Sequence, residues 1–315
     1  MENSLLKSAL NEMQEQAKKP IGLFEVSTGF VELDKTINGL QKGTLIVLSG
    51  VPSVGKTAFA LSMAKNLSVR QSKAVCYYSM NERNEDIIKK LMSNVAYVPC
   101  AKVQNGQLEK YEWVQLDIAI NELQKAPLFV DDTPTREFDD IANQIKKMVA
   151  DNGVRVVFID TLQQVYINKM SHLPREQMVS QIVRELKALA RELNITIIAI
   201  SQFNRSNGYE IVNFLSIDKL KPRLSQLRES GEIENVADVV LLLHRWDLLK
   251  IYQHPATGQD LRDIAEIVVA KNRNGATADI QIYHDLRFAK FEDVVEMPTN
   301  DLRMPPPLPD VHDLP

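Results

Sequence analysis

The sequence predicts an α/β fold in which a doubly wound, mostly parallel sheet carries helices on both faces. Short runs rich in Val, Ile and Leu recur along the chain, and helical patterns alternate with most of them. The runs are almost continuously apolar, which is typical of strands that are covered on both faces. The last run alternates instead, and Asn274-Gly275 ahead of it predicts an antiparallel C-terminal hairpin.

The alternation of strand and helix extends from residue 44 to residue 285. The predicted strands are TLIVLSG (44–50), AVCYYSM (74–80), PLFVDD (127–132), VRVVFID (154–160), ITIIAIS (195–201), VADVVLLLH (236–244), AEIVVAK (265–271) and ADIQIYHD (278–285). The predicted helices cover residues 56–67, 84–93, 137–150 and 176–193.

The two ends of the chain differ from this central part. Apolar residues at helical spacing in residues 4–18 predict a short amphipathic helix, which Pro20 and Gly22 end. Its apolar stripe packs either on the chain's own core or on a neighbouring subunit. Residues 297–315 are rich in proline and predict a solvated, extended tail. We therefore divide the chain into residues 1–19, 20–296 and 297–315.

The composition excludes several classes of protein. A formal charge of -4 argues against a generally basic nucleic-acid coat, although it leaves room for a local basic site. No apolar run approaches the roughly 18 residues of a membrane span, so no membrane partner is expected. Two cysteines predict no disulfide framework and a cytoplasmic location. Five scattered histidines without HExxH or CxxC spacing disfavour a structural zinc site.

The segment GVPSVGKT, from Gly50 to Thr57, follows a predicted strand and precedes a predicted helix, as a phosphate-binding P-loop does. Gly50 and Gly55 allow the backbone to turn its N–H groups toward phosphate oxygens, and the helix N-terminus adds a positive dipole. Lys56 is expected to reach the β- and γ-phosphates, and the Thr57 hydroxyl to bind Mg²⁺. The expected nucleotide contacts are Gly50, Pro52, Ser53, Val54, Gly55, Lys56, Thr57 and Ala58.

Two polar residues end other predicted strands. Asp160 ends VRVVFID, at the edge where α/β sheets bind ligands, and is expected to hold Mg²⁺ directly or through water. The alternative is an aspartate that only caps a helix. Gln202 follows ITIIAIS, where its amide either senses the γ-phosphate or the attacking water, or is an ordinary loop residue. Spacing alone does not separate these two interpretations of Gln202.

Longer motifs carry a more specific resemblance, which extends from Ser27 to Asp293. The segments are STGFVELDKTINGLQKGTLIVLSG, GVPSVGKTAFAL, FIDTLQ, AISQFNRS, PRLSQLRESGEIENVADVVLLLHR and AEIVVAKNRNGATADIQI. In these segments the chain resembles the ATPase domain of DnaB-type hexameric replicative helicases, a branch of the RecA-like P-loop ATPases. LRESGEIENVAD and AKNRNG are far more specific than a P-loop, and they distinguish this family from recombinases and transport ATPases.

The resemblance implies a function and an assembly. It implies ATP and Mg²⁺ as cofactors, single-stranded DNA as a partner, a homo-hexamer, and a primase or helicase loader as a further candidate partner. Residues 20–296 would be the RecA-like ATPase and DNA-translocation domain, and residues 1–19 the linker helix that docks on the next subunit. Lys56 and Thr57 would contact phosphate and magnesium, Asp160 magnesium, and Gln202 the γ-phosphate.

The resemblance also implies residues that act between subunits and on DNA. Arg273 would be the arginine that reaches the neighbouring subunit's nucleotide, with Lys271 beside it; the plain alternative for Arg273 is a solvated turn residue. The stretch Arg228, Glu229, Ser230 and Gly231 resembles the family's DNA-contacting loop. Further basic residues expected to face DNA are Lys169, Arg175, Lys219, Lys221 and Arg223.

Two departures from the family pattern affect these expectations. The family carries a general-base Glu after its second strand, and here strict register puts Asn81 in that position, with Glu82 adjacent. Either Glu82 substitutes, through a bend at the strand end, or hydrolysis is slow. In addition, only 49 residues precede Gly50, which implies a fragment or a small stand-alone relative.

Three functions therefore stay open on the sequence. The first is an ATP-dependent, ring-forming DNA helicase. The second is a nucleotide-gated ring that binds single-stranded DNA and hydrolyses little, and Asn81 is its motivation. The third is a RecA-like recombinase or regulatory ATPase, against which the LRESG and AKNRNG segments count.

Overall fold

The computed structural model describes residue 7 and residues 24–131, 136–203, 220–226 and 231–294. Within these residues nine strands form one sheet, in the order β3-β2-β4-β5-β1-β6-β7-β8-β9. The strands are β1 (Thr44–Ser49), β2 (Val75–Ser79), β3 (Leu128–Asp131), β4 (Val156–Asp160), β5 (Thr196–Ile200), β6 (Val239–Arg245), β7 (Ile264–Asn272), β8 (Ala278–Asp285) and β9 (Lys290–Asp293).

Helices lie between the strands and cover both faces of the sheet. They are α1 (Val31–Ile37), α2 (Lys56–Lys65), α3 (Asn84–Ala96), α4 (Cys100–Asn105), α5 (Lys110–Lys125), α6 (Phe138–Asn152), α7 (Arg175–Leu193) and α8 (Gly231–Val236). A π-helical turn, Asn66–Arg70, continues α2.

The sheet has an apolar layer on each face, as the continuous Val/Ile/Leu runs predict. Along β1, Ile46 and Leu48 pack into one layer, with α1, α2 and α3. Leu45 and Val47 pack into the other layer, with α6 and α7. Because successive side chains of a strand point to opposite faces, a strand buried on both sides needs apolar residues at every position.

The predicted fold class is confirmed, with one difference in the antiparallel part. Strands β3, β2, β4, β5, β1 and β6 run parallel. The predicted hairpin of β7 and β8 is present, but β7 already runs antiparallel to β6, and β9 adds a further antiparallel strand. The four residues of β9, KFED, are too few and too charged to show a strand period.

Four of these helices, α1, α4, α5 and α8, were not predicted. Helices α1 and α8 have only seven and six residues, which is too short to show a helical period. Helix α4 buries none of its side chains, and α5 buries only Glu112, Leu116 and Ala119, so neither has a strong apolar stripe. The predicted strand 236–244 begins only at Val239, because α8 occupies the residues ahead of it.

The predicted helix over residues 4–18, apart from residue 7, and the predicted tail over residues 297–315 lie outside the described residues. Among the residues that the structure describes, no helix combines the length and the apolar character that a membrane span needs.

Candidate nucleotide site

The loop from Gly50 to Thr57 joins β1 to α2 at the carboxyl end of the parallel strands. A Cβ atom on Gly50 would lie 2.8 Å from the carbonyl oxygen of Leu243 on the neighbouring strand β6. Gly55 has a φ of +105°, and a Cβ there would lie 3.0 Å from the ring of Phe291. Both glycines are therefore required by close packing behind the loop. Of the other expected nucleotide contacts, Pro52 and Ser53 are exposed, whereas Val54 and Ala58 are buried.

Lys56 begins α2 and turns back over the loop. Its Nζ donates to the carbonyl oxygens of Gly50 at 3.0 Å and Val51 at 2.9 Å. Burial lowers the pKa of Lys56 to about 8, although the negative charge of Asp160 acts in the opposite direction. A desolvated ammonium gains strongly from an anionic partner, which suits Lys56 to phosphate binding.

Asp160 ends β4 and joins the loop through Thr57. The Thr57 hydroxyl donates to Asp160 Oδ2 at 2.7 Å, and the hydroxyl of Tyr77 on β2 donates to the same oxygen at 2.7 Å. Burial raises the pKa of the Asp160 carboxyl, against the lowering effect of these two hydrogen bonds. A desolvated carboxylate beside a hydroxyl oxygen is the kind of hard oxygen donor set that Mg²⁺ prefers, so these residues fit that ion.

Gln202 follows β5 and lies beside the loop. The flanking backbone is held there, because Ser201 donates its N–H to Leu48 at 2.8 Å and Phe203 donates to Gly50 at 3.3 Å. The N–H of Gln202 donates to Gln163 Oε1 at 3.3 Å, which links it to the segment after Asp160. The side chain of Gln202 is exposed at this edge, where a phosphate sensor would have to be.

The chain bends directly after β2, so strand alternation does not apply to Asn81 and Glu82. The Ser79 hydroxyl donates to the Glu82 carbonyl at 2.6 Å and accepts the Glu82 N–H at 3.2 Å. Asn81 is exposed, whereas Glu82 is half-buried and Lys90 of α3 donates to its Oε1 at 2.6 Å. The negative charge of Glu82 contributes to the raised pKa values of Asp160 and Tyr77. Glu82 is thus close enough to act electrostatically on the site.

Arg273 and Lys271 lie at the opposite edge of the sheet from the loop. The N–H of Arg273 donates to the Asp238 carbonyl at 2.8 Å, and the Asp238 side chain accepts the N–H of Leu45 at 2.8 Å. Leu45 is near the start of β1, whereas Gly50 follows its end. Leu45 and Gly50 are five strand residues apart, which corresponds to about 16 Å along the strand. Arg273 therefore does not reach the phosphate loop of its own chain.

Most of the predicted DNA loop lies outside the described residues. This applies to Arg228, Glu229 and Ser230, and also to Lys219. Gly231 is described as the first residue of α8.

The remaining basic residues have different surroundings. Lys169 is exposed in a 3₁₀ turn, Asn168–Met170, and Arg223 is exposed ahead of another turn. Arg175 begins α7 and donates to the Leu162 carbonyl at 3.3 Å. Lys221 forms ion pairs with Glu266 at 3.0 Å and Asp279 at 2.8 Å, and these carboxylates hold it against β7 and β8.

Three residues that support the site were not predicted from the sequence: Tyr77, Gln163 and Lys90. A tyrosine in an otherwise apolar strand is a weak signal, because a buried hydroxyl usually needs a partner. The strand order that puts β2 next to β4 supplies that partner in Asp160. Nothing in the sequence marks Gln163 or Lys90.

Among the described residues, no group of three or more His, Cys, Asp and Glu forms a metal site.

A phosphate loop between a buried strand and a helix, with an acid from a second strand at its side, defines the class of P-loop nucleotide-binding α/β proteins. The chain belongs to the DnaB-like helicase C-terminal domain family, whose model matches residues 25–293. The resemblance drawn from the sequence motifs is thereby confirmed.

Individual relatives agree with this assignment. The chain is 36% identical to a protein named "Probable replicative DNA helicase" from Trieres chinensis, over 92% of this chain and 62% of that protein. It is 33% identical to "Replicative DNA helicase DnaB" from Geobacillus stearothermophilus, over 89% of this chain and 59% of that protein. The chain thus spans about three fifths of the length of these curated relatives.

Two solved structures share the fold. One is described as an ATPase domain; it has a TM-score of 0.82 at 28% identity, and the likeness covers 92% of this chain and 99% of that one. The other, described as a DnaB-like replicative helicase and its interactions with primase, has a TM-score of 0.80 at 27% identity. That likeness covers 90% of this chain and 66% of the other.

Proposed function

We propose that this chain is the motor part of an ATP-driven, ring-forming helicase that translocates on single-stranded DNA. The names of its relatives support a role in replication. The observation that carries the proposal is the separation of Arg273 from the phosphate loop of the same chain. One edge of the sheet binds the phosphates, and the opposite edge carries the cations that phosphoryl transfer requires.

A second copy of the chain would supply the Arg273 that the phosphate loop lacks within its own chain. When the Arg273 edge of one copy faces the phosphate loop of the next, each site becomes complete between two subunits. Such a contact joins two different surfaces, and repeating it with rotation closes a ring. A homo-hexamer is the ring that we propose. A cation supplied in this way neutralises charge on the transferred phosphoryl group and is worth about 10³–10⁵ in rate.

Within one subunit, the phosphate edge would hold ATP and Mg²⁺. Backbone N–H groups of residues 53–57 and the Lys56 ammonium would bind the phosphates. Thr57 and Asp160 would hold the Mg²⁺ ion, which neutralises the phosphate charge when it is bound. Gln202 would sense the γ-phosphate, because its N–H is bonded to Gln163 in the segment after Asp160 and the next residue, Phe203, donates to Gly50.

Glu82 would accept the proton of the attacking water. Its half-buried carboxylate and its electrostatic effect on Asp160 support this role over Asn81, which is exposed. Replacing Glu82 by Gln should lower ATP turnover about 100-fold or more while nucleotide still binds. The matched control is Glu85→Gln, which changes an exposed glutamate of α3 and should leave turnover unchanged. Unchanged turnover in Glu82→Gln would eliminate Glu82 as the base.

One observation favours a second function, a nucleotide-gated ring that binds DNA and hydrolyses little. The Glu82 carboxylate is engaged by Lys90 in this structure, and an amide occupies the family's position for the base. In that case ATP turnover is slow in the wild type, is not stimulated by single-stranded DNA, and changes little in Glu82→Gln. Strand separation on a forked duplex should then also be lacking.

Mixing two inactive variants tests the shared site. Lys56→Ala and Arg273→Ala proteins should each lose DNA-stimulated ATPase activity. In mixed rings, an intact Lys56 of one subunit can face an intact Arg273 of the next, so part of the activity should return. Arg262→Ala removes an exposed arginine near β7 and serves as the control. If native mass shows mixed rings and no ratio restores turnover, the sites are not shared.

Binding of DNA is tested by its dependence on salt. Contacts to phosphates release counterions, so affinity for a single-stranded oligonucleotide should fall steeply between low and moderate salt. Lys169→Ala and Arg223→Ala should each make this dependence shallower. A flat response to salt in the wild type would contradict the binding of DNA phosphates.

A primase or a helicase loader is a further candidate partner. One structural neighbour is described together with its interactions with primase, and this motivates a binding assay between the present chain and primase.

A further inference from the structure

The C-terminal end of α8 is capped by the side chain of Lys271, in β7, and by that of Arg273, directly after β7. The N–H of Ala237 donates to the Ile233 carbonyl at 3.0 Å, which is the last helical bond of this type. The next four carbonyls, from Glu234 to Ala237, lie at the end of the helix, where no helical N–H remains to bind them. Cations stabilise this end of a helix because its dipole is negative there.

Together, Lys271 and Arg273 donate hydrogen bonds to all four of these carbonyl oxygens. Lys271 Nζ donates to the carbonyl oxygens of Glu234, of Asn235 at 3.3 Å and of Ala237 at 2.7 Å. Arg273 Nη2 donates to Asn235 at 2.9 Å and to Val236 at 3.5 Å. Burial and the charge of Arg273 both lower the pKa of Lys271, so the two cations gain from these acceptors.

We propose that Lys271 and Arg273 cap α8 in a subunit without a neighbouring nucleotide, and release it when they contact the phosphates of the adjacent subunit. The inference deepens the proposed function and rests on it for the second contact. The same nitrogen atoms serve both contacts, so the two are mutually exclusive. Occupation of one subunit's nucleotide site therefore loosens a helix in its neighbour.

Helix α8 directly follows the segment that is proposed to contact DNA, so its release would affect that segment. Gly231, its first residue, belongs to the segment proposed to contact DNA. On its side, α8 is held by the buried Ile233 and by an ion pair of Glu232 with Arg184 of α7, at 2.9 Å. These contacts keep α8 on the sheet when its cap is removed. Under this proposal, a change at the capped end would reach Gly231, the residue of the DNA segment that begins α8.

Hydrogen exchange of the peptide covering residues 231–237, in the full chain, tests the capping. Without nucleotide, Lys271→Ala/Arg273→Ala should exchange about tenfold faster than the wild type, because two cations leave the helix end. Lys271→Arg/Arg273→Lys should restore most of the protection. Arg262→Ala is the matched control and should exchange like the wild type. Protection of residues 44–49 reports whether each variant is folded. Equal exchange in a folded double-alanine variant would overturn the capping.

The release is tested with a non-hydrolysable ATP analogue and Mg²⁺, in the absence of DNA. In the wild type, exchange in residues 231–237 should rise toward the rate of the double-alanine variant, in which the analogue should change little. If native mass shows a ring with bound analogue and the exchange of residues 231–237 is unchanged, the release is wrong while the proposed function stands. A chain that forms no ring overturns the proposed function and the release together, and the variants still decide the capping.

Discussion

The hydroxyl of Tyr77 donates a hydrogen bond to Asp160 Oδ2 at 2.7 Å, and this contact connects two neighbouring strands at the proposed magnesium site. Tyr77 is fully buried, and burial together with the Asp160 charge raises its pKa well above the usual range. The hydroxyl therefore stays protonated and acts only as a donor. It orients the carboxylate oxygen that Thr57 also contacts.

Replacing Tyr77 by Phe should weaken Mg²⁺ binding. The carboxylate of Asp160 loses one of its two donors, and loss of such a supporting hydrogen bond typically costs on the order of 10–100-fold in metal affinity. The Mg²⁺ concentration for half-maximal ATP turnover should rise accordingly. Tyr78→Phe is the control, because Tyr78 packs in the layer on the other face of the sheet. Equal Mg²⁺ dependence in both variants would contradict the role of Tyr77.

Replacing Gly50 by Ala should destabilise the protein and weaken nucleotide binding. The new Cβ would meet the Leu243 carbonyl at 2.8 Å, so β1 or β6 must shift. Such a shift costs about 1–3 kcal/mol in the free energy of unfolding. Thermal unfolding and binding of a fluorescent ATP analogue measure the two effects. Gly231→Ala is the control, since no atom of the described residues lies within 4 Å of its added Cβ and alanine favours a helix. Wild-type stability in Gly50→Ala would contradict the packing argument.

His244 should make the stability of the protein depend on pH in the mildly acidic range. It is fully buried, and burial followed by the Lys221 charge lowers its pKa to about 4. Below about pH 6.5 the unfolded chain binds a proton that the folded chain does not bind until about pH 4. The contribution of neutral His244 to stability is therefore present above about pH 6.5 and is lost as the pH falls toward about 4.

Urea unfolding of the wild type and of His244→Phe at about pH 7 and pH 5 measures this effect. The decrease in the free energy of unfolding between the two pH values should be about 2 kcal/mol larger in the wild type. His172→Phe replaces an exposed histidine and should retain the wild-type dependence. A decrease of equal size in His244→Phe would show that other groups cause it.

Replacing Asp238 by Asn should destabilise the protein at the edge that carries Arg273. The Asp238 carboxylate is buried, accepts the N–H of Leu45 and pairs with Lys187 at 2.5 Å. Loss of its charge leaves Lys187, which is mostly buried, without its carboxylate, at a cost of about 3 kcal/mol in unfolding free energy. Asp260→Asn removes an exposed pair with Arg262 and should have no measurable effect. Similar stability of the two variants would contradict this prediction.

Much of the proposed phosphate site was predictable because its residues are adjacent in sequence. Gly50, Gly55, Lys56 and Thr57 form one loop between a strand and a helix, and local periodicity identifies that context. The positions of Asp160 and Gln202 were predictable, because both lie at the ends of apolar strands, which meet at one edge of a parallel sheet. The role of Gln202 was not predictable from spacing. The bend that brings Glu82 toward Asp160 was not predictable, because it depends on hydrogen bonds of Ser79 and on Lys90 from the following helix.

The sequence by itself determined the layers of the sheet, the phosphate loop and the family, since each rests on local pattern or on motifs. Only the tertiary structure decided which partners these residues have. The order of strands puts Tyr77 beside Asp160 and puts Arg273 at the edge away from its own phosphate loop. Contacts between residues far apart in sequence, such as those of Lys271 with α8, depend on how the strands pair, and strand pairing has no local signal.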